Sequence, residues 1–446
     1  MNLIVKQVLL WSSLAMRNMD NNKVVKKQTL ADAKKISVLF ILPDLSGGGA
    51  ERTIVDLLEY IDRDRFIPYL GLLSQTGEYL NLVTVADIRT AKLPDWLQYV
   101  LALPSTIHSF SLKSLLPRLL RTPASIYQIQ ALVRAIQPDI VMTSMTGLNI
   151  LTNFALGQQG SRKVQWIARE GNSFPTNLKS ITKNRILKML IFRIIQNSYS
   201  QADKILTVSK GISREVSEVY KINPGKITYI YNPINLVQIQ QAVQSSKYKP
   251  EPNLQVSDDR YIVAVGRLYP QKGFEYLIQA LYLCHHQYHL RDLKLLILGE
   301  GNYRDTLEVQ IQTLKLQEYV KLAGFVENPW IYMTAAQAFV LSSLWEGFPH
   351  VVVEAMACQT PVIATDCDYG PKEIIEDDQI GLLVPIRSPE KLAGAIHQLI
   401  SNPDQAARLA RNALIRAQDF DAVKITREYE KLFETVCQRS HDLIRL

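Results

Sequence analysis

From Ile36 onward the chain alternates short, uninterrupted apolar runs with longer stretches whose apolar residues recur at helical spacing. "ISVLFIL" precedes "GGGAERTIVDLLEYI", and "PDIVMTS", "KVQWIA", "ADKILTVS" and "KITYIY" follow at intervals. Runs that are apolar at every position belong to strands covered on both faces, as in a parallel sheet flanked by helices. The rhythm stops after "YNPIN". Residues 241–260, "QAVQSSKYKPEPNLQVSDDR", show no core pattern and read as a linker. It then restarts with "YIVAVG", "LKLLILG", "YVKLAGF", "QAFVLSS", "TPVIATD" and "GLLVP". The pattern predicts an α/β fold of two doubly wound domains, residues 36–240 and 261–418. An extension (1–35) precedes them, and a helical segment (419–446) follows whose packing partner the pattern does not name. A length of 446 residues is what two such cores require.

Composition adds little to this until the charge is divided along the chain. An apolar share of 47% with 21% charged residues describes a soluble globular protein and excludes disorder. Up to residue 250 there are 31 Lys and Arg against 16 Asp and Glu, net +15; thereafter 19 stand against 26, net −7. The basic half calls for an anionic partner: nucleic acid, a lipid headgroup surface or a phosphorylated substrate. No nucleic-acid module is present and no aromatics interleave the basic runs, so nucleic acid is not expected. "ITKNRILKMLIFRIIQ" sets Lys183, Arg185, Lys188 and Arg193 among large apolar residues, and "SLKSLLPRLLR" is similar. Such a stretch suits an anionic membrane surface, or a helix packed on its own domain.

No apolar run is long enough to span a bilayer. "VLLWSSLAM" is short and lacks a cleavage site, so residues 1–35 read as a poorly ordered, partly basic extension, or alternatively an interfacial anchor. Cys284, Cys358, Cys367 and Cys437 form no CxxC pair, which suits free, mostly buried thiols in a reducing compartment. His285, His286 and His289 have no carboxylate or cysteine companion and read as a solvated helix face. No metal site is expected.

Ligands of open α/β sheets bind beyond the carboxyl ends of the strands, so the loops there carry the candidate chemistry. "GRLYPQKGF" places Gly266, Arg267 and Lys272 ahead of a helix, as a diphosphate site or as a solvated basic loop. In "LLILGEGNYRD", Gly299 permits close backbone approach or simply a tight turn. "LWEGFPHVVVEAMA" puts Glu346 on a turn and Glu354 in the helix that begins near His350, behind Pro349. Carboxylates accept and do not donate, so this pair suits sugar or ribose hydroxyls; alternatively Glu354 only complements the helix dipole. Gly47, Gly48 and Gly49 lead into the first helix, as a close-approach loop or an ordinary strand-to-helix turn.

Together "GRLYPQKGFEYLIQAL", "LGEG", "EGFPHVVVEAMACQTPVIATDCDYGPKEII" and "GLLVP" closely resemble the retaining glycosyltransferases of family four, group 1. "SGGGAER" and "ADKILTVSKGI" resemble their first domain, so the likeness runs over roughly residues 36 to 440. It implies the GT-B architecture: two Rossmann-like domains facing an interdomain cleft, the second holding a UDP- or GDP-sugar donor and the first an acceptor.

By resemblance Arg267 and Lys272 neutralise the diphosphate and Glu354 holds the ribose. Glu346 contacts the donor sugar, and the amides of Phe348, His350 and Val351 lie near phosphate and sugar. Where relatives place a histidine after the fifth strand, this chain reads "IAREGNSF", which offers Arg169 and Glu170 on the acceptor side. The implied activity is retaining transfer of a hexose or N-acetylhexosamine to a glycan or lipid-linked acceptor in cell-surface polysaccharide or lipopolysaccharide synthesis. It needs no metal or other cofactor, and its place is cytoplasmic or peripheral on the inner face of the cell membrane. A non-catalytic nucleotide-sugar-binding or partner subunit on the same fold is the alternative.

Overall fold

The computed structural model describes residues 34–83, 87–89, 112–157, 164–173, 184–244 and 260–444. The extension up to residue 33, Lys183 and most of the expected linker lie outside them, as do the side chains of "SLKSLLPRLLR" up to Arg121.

Seven strands build the first lobe: β1 (Ile36–Leu42), β2 (Phe66–Leu72), β3 (Asp87–Arg89), β4 (Ile140–Ser144), β5 (Gln165–Glu170), β6 (Lys204–Thr207) and β7 (Ile227–Tyr229). They pair in the order β3-β2-β1-β4-β5-β6-β7, and every pairing is parallel. Helices α1 (Gly49–Tyr60), α2 (Leu112–Ile136), α3 (Thr146–Gly157), α4 (Arg185–Gln201) and α5 (Lys210–Tyr220) accompany them, and α6 (Leu236–Gln244) follows, packed on the second lobe. β4 and β5 are buried at every position, which is why their sequence shows no alternation.

The second lobe repeats the plan with β8 (Tyr261–Val265), β9 (Lys294–Leu298), β10 (Val320–Gly324), β11 (Ala338–Leu341), β12 (Val362–Thr365) and β13 (Leu382–Val384). Their order is β10-β9-β8-β11-β12-β13, again all parallel. Its helices are α7 (Phe274–His286), α8 (Arg304–Thr313), α9 (Trp330–Ala335), α10 (His350–Ala357), α11 (Pro371–Ile374), α12 (Pro389–Ser401) and α13 (Pro403–Ala417). Two parallel-sheet Rossmann-like domains, the expected fold class, are present.

The chain ends in α14 (Ala422–Ile444), which leaves the second lobe and packs on the first. Phe433 is fully buried, its ring centroid 6.0 Å from both Phe40 and Phe66. Glu430 accepts from the Asp62 amide at 2.8 Å and pairs with Arg65. The two interlobe crossings lie side by side. Ile234 bridges to Asp421, its amide donates to the Phe420 carbonyl and its carbonyl accepts from the Ala422 amide, both at 2.9 Å.

Candidate functional site

On the second lobe the loop after β8 is stitched to the turn after β11. Gln271 Nε2 donates to the Trp345 carbonyl, and Ser342 Oγ to the Lys272 carbonyl, each at 2.8 Å. This fixes Lys272, whose Nζ lies 2.6 Å from Glu346 Oε1, the same oxygen that accepts from Ser343 Oγ at 2.6 Å. Glu346 is buried, so the pair replaces its lost hydration. Gly299 is fixed by packing: a Cβ there would stand 2.0 Å from the Gly266 carbonyl oxygen. Arg267 is exposed and lies over the Tyr269 ring, 5.4 Å from its centroid.

Helix α10 begins behind Pro349 as its sequence suggests. His350 and Glu354 are four residues apart, so they share the face turned toward α1 of the first lobe. There Thr53 Oγ1 lies 3.3 Å from His350 Nε2, and the His350 ring occupies the space a Cβ on Gly49 would approach to 3.1 Å. Burial lowers the His350 pKa to about 3, helped by Arg169, Arg52 and Lys272, so the imidazole is neutral. Burial raises the Glu354 carboxyl, against the pull of Arg52. It also raises Asp56, to about 7, although Arg52 Nε is 3.3 Å away. Arg52, Asp56, Asn235, Trp330, His350 and Glu354 line one recess between the lobes.

Arg169, at the end of β5, is buried in this seam. Its Nη2 donates to Asn232 Oδ1 at 2.6 Å and to Thr53 Oγ1 at 3.3 Å, and its Nε to Tyr429 of α14 at 3.3 Å. Nη1 is buried without a hydrogen-bond partner. A guanidinium ringed by neutral acceptors carries charge to spare for an anion. Glu170, beside it in sequence, points elsewhere. It accepts from Thr146 Oγ1 at 2.6 Å, from the Tyr199 hydroxyl and from the Gly171 amide, all inside the first lobe.

The lobes touch directly. A Cβ on Gly347 would stand 1.9 Å from the Gly171 carbonyl oxygen, so only glycine allows the two loops to meet. Glu373 of α11 accepts from the Lys210 and Gly211 amides at 2.8 Å each, at the leading end of α5, and Tyr369 donates to Glu215 at 3.0 Å.

The structure therefore carries Glu346, Phe348, His350, Val351 and Glu354 on one turn and helix and brings Lys272 to the turn from the neighbouring loop. It sets His350 against Gly49 and Thr53, the partner of Arg169, and Glu354 beside Arg52 of the first lobe. Arg267 faces the same way: burial raises the Glu51 carboxyl on α1, and Arg267 and Arg169 pull against it. Gly47 and Gly48 form the turn into α1, while Gly266 and Gly299 lie back to back beneath Arg267.

Sequence reasoning missed Arg52, Thr53, Asp56 and Asn232. The only signal for the first three was polar residues in the first turns after a glycine run; Asn232, just past β7, had none beyond its place at a strand's end. His285 needs correction. It is buried, its Nε2 lies 2.8 Å from the Leu293 carbonyl, and its ring meets Tyr319 edge-on, so it belongs to the core and not to a solvated face. Among the described residues no group of three or more His, Cys, Asp or Glu is arranged to hold a metal.

Comparison with known proteins follows this division. The family model "Glycosyltransferase Family 4" matches residues 47–238, and "Glycosyl transferases group 1" matches residues 246–416. One curated relative is the N-acetylgalactosamine-N,N'-diacetylbacillosaminyl-diphospho-undecaprenol 4-alpha-N-acetylgalactosaminyltransferase of Campylobacter jejuni. It is 34% identical over 55% of this chain, a match that spans 64% of the relative's own length. Another is the amylovoran biosynthesis glycosyltransferase AmsD of Erwinia amylovora, 28% identical over 46% of this chain and 58% of its own. Among solved structures, HepE of Anabaena in complex with UDP-glucose superimposes with a TM-score of 0.71 at 21% identity, covering 90% of this chain and all (100%) of HepE. That likeness gives the GT-B fold. With consecutive family models matched to its two lobes, the chain belongs to the group 1 glycosyltransferases.

Proposed function

We propose that this chain transfers a hexose or N-acetylhexosamine from a UDP- or GDP-sugar to a glycan or lipid-linked acceptor, with retention, in cell-surface polysaccharide or lipopolysaccharide synthesis. The observation that carries the reading is that Glu346, joined by Lys272 from the next loop, stands on the turn into the helix whose His350 and Glu354 face Gly49, Arg52 and Thr53, the partner of Arg169, across the seam. In this reading the donor diphosphate lies between Arg267, Lys272 and the leading amides of α10. Those groups, with Arg169 from the other lobe, stabilise the charge that develops as the sugar departs. Lys272 is then shared between the diphosphate and Glu346. Both observed bonds to Glu346 fall on Oε1, and we assign Oε2 to the donor sugar's hydroxyls. Glu354 takes the ribose. His350, held neutral, contributes an amide and a ring without competing for the phosphate as a second acid or base.

The kinship supports the chemistry. The Campylobacter relative is named for N-acetylgalactosaminyl transfer to a diphospho-undecaprenol acceptor, and the HepE structure holds UDP-glucose. The stabilising cations belong to the protein, so turnover is expected to persist in EDTA; loss of turnover restored by a divalent ion contradicts that part of the reading. The direct test is nucleoside diphosphate release from a panel of UDP- and GDP-sugars with cell-extract acceptors. The wild-type chain should turn over at least one donor, Lys272→Ala should lower kcat about 10²- to 10³-fold, and Glu354→Ala should mainly raise KM. Donor binding without transfer to any acceptor would instead indicate a non-catalytic subunit.

A further inference from the structure

We propose that the first two turns of α4 are a docking surface for an anionic lipid bilayer. The helix is divided along its length. Its later half is anchored in the first lobe: Ile195, Ser198 and Tyr199 are buried, and Phe192 stacks on Tyr220 with centroids 4.6 Å apart. Its beginning projects into solvent. Ile186 is 74% exposed, Leu187 39%, Met189 54% and Leu190 54%, while Asn184 caps the helix by accepting from the Ile186 and Leu187 amides. Single exposed apolar residues are ordinary, but four within one and a half turns form a patch that needs a partner.

The charges around the patch choose that partner. Arg185, Lys188 and Arg193 lie among the apolar residues, and the helix from Arg185 to Gln201 contains no aspartate or glutamate. An apolar tip collared by cations fits a leaflet whose interior is apolar and whose headgroups are anionic. Helix α4, 17 residues with Arg185, Lys188 and Arg193 among them, suits attachment at the interface and not a span. Its position suits the site. In a parallel sheet a helix starts at the edge where the preceding strand ends, and β5 ends at Glu170, next to the Gly171 that meets Gly347. A bilayer resting on the start of α4 therefore lies at the mouth of the interlobe seam, within reach of a lipid-linked acceptor. The last step rests on the proposed transfer activity; the docking does not.

The test uses the full chain with phosphatidylcholine vesicles, with and without phosphatidylglycerol, at low and high salt. The wild-type chain should co-sediment with the phosphatidylglycerol vesicles at low salt. Arg185→Gln with Lys188→Gln should weaken this about 30-fold, two surface cations at about 1 kcal/mol each. Ile186→Asn with Leu190→Asn should remove the binding that persists at high salt. Both variants should release nucleoside diphosphate in free solution as the wild-type chain does. Absence of wild-type binding at low salt, or variants that bind like the wild type, overturns the proposal. So does a wild-type dimer that Ile186→Asn with Leu190→Asn dissociates without any vesicle binding. Vesicle binding that follows the variants in a chain with no turnover keeps the docking and rejects the transfer reading.

Discussion

His350 and Asp56 face each other across the lobes' recess and respond to pH in opposite directions. The unfolded chain protonates the histidine near 6.5, the folded chain only near 3. Between those values the unfolded state binds more protons, so this contribution is complete above 6.5 and lost as pH falls toward about 3. Asp56 works the other way. Its folded pKa is raised from 3.8 to about 7, so its contribution is present at low pH and lost as pH rises through that interval. The difference in stability between wild type and His350→Asn isolates the first effect. It should shrink steadily from pH 6.5 to about 3, and a difference flat with pH contradicts the buried neutral imidazole. Glu346, Arg267 and Lys272 stood out in sequence as candidates because charged residues followed runs of strand-like apolar ones, and Glu354 because a carboxylate lay in the apolar helix beyond. Thr53 and Asp56 were not, since their place on α1 names none of the groups that surround them, Arg169 and His350 at Thr53 and Arg52 at Asp56.

At the scale of elements, α14 shows what local pattern leaves out. Its amphipathic spacing is clear, but a pattern records that a face is apolar and not which surface covers it. Here the face crosses the molecule, and Phe433 closes a ring cluster with Phe40, Phe66 and Tyr429. Phe433→Ala should destabilise the first lobe by about 3–5 kcal/mol, read from denaturant unfolding followed by a probe in that lobe. A loss confined to the second lobe contradicts the packing. The strands were readable because continuous burial leaves continuous apolar runs. The split in α4 was not, because the apolar spacing is the same whether a turn packs on protein or stands in solvent. His285 was misjudged for a related reason: a histidine in a polar cluster looks solvated until a carbonyl is seen to satisfy it.

At the scale of the molecule, the crossings at Ile234 and Asp421 lie side by side, and the contacts of Glu373, Tyr369 and Gly347 hold the lobes together next to them: Glu373 also accepts from Tyr231, and Phe348 packs on Phe420. Gly347→Ala places a methyl against the Gly171 carbonyl and should hold the lobes apart, raising the radius of gyration in X-ray scattering; an unchanged radius contradicts the contact. How the lobes meet was beyond the sequence, because the loops that touch lie in different halves of the chain. The central claim is that Lys272 grips a diphosphate while Glu354 holds the ribose beside it. Calorimetric affinities for UDP and GDP, and for the 2′-deoxy form of whichever binds more tightly, test it most directly in the wild type, Lys272→Ala and Glu354→Ala. The account predicts that Lys272→Ala weakens both sugar forms alike, and that the wild type prefers the ribose form while Glu354→Ala does not. A preference for ribose that survives Glu354→Ala, or a diphosphate affinity indifferent to Lys272→Ala, contradicts it.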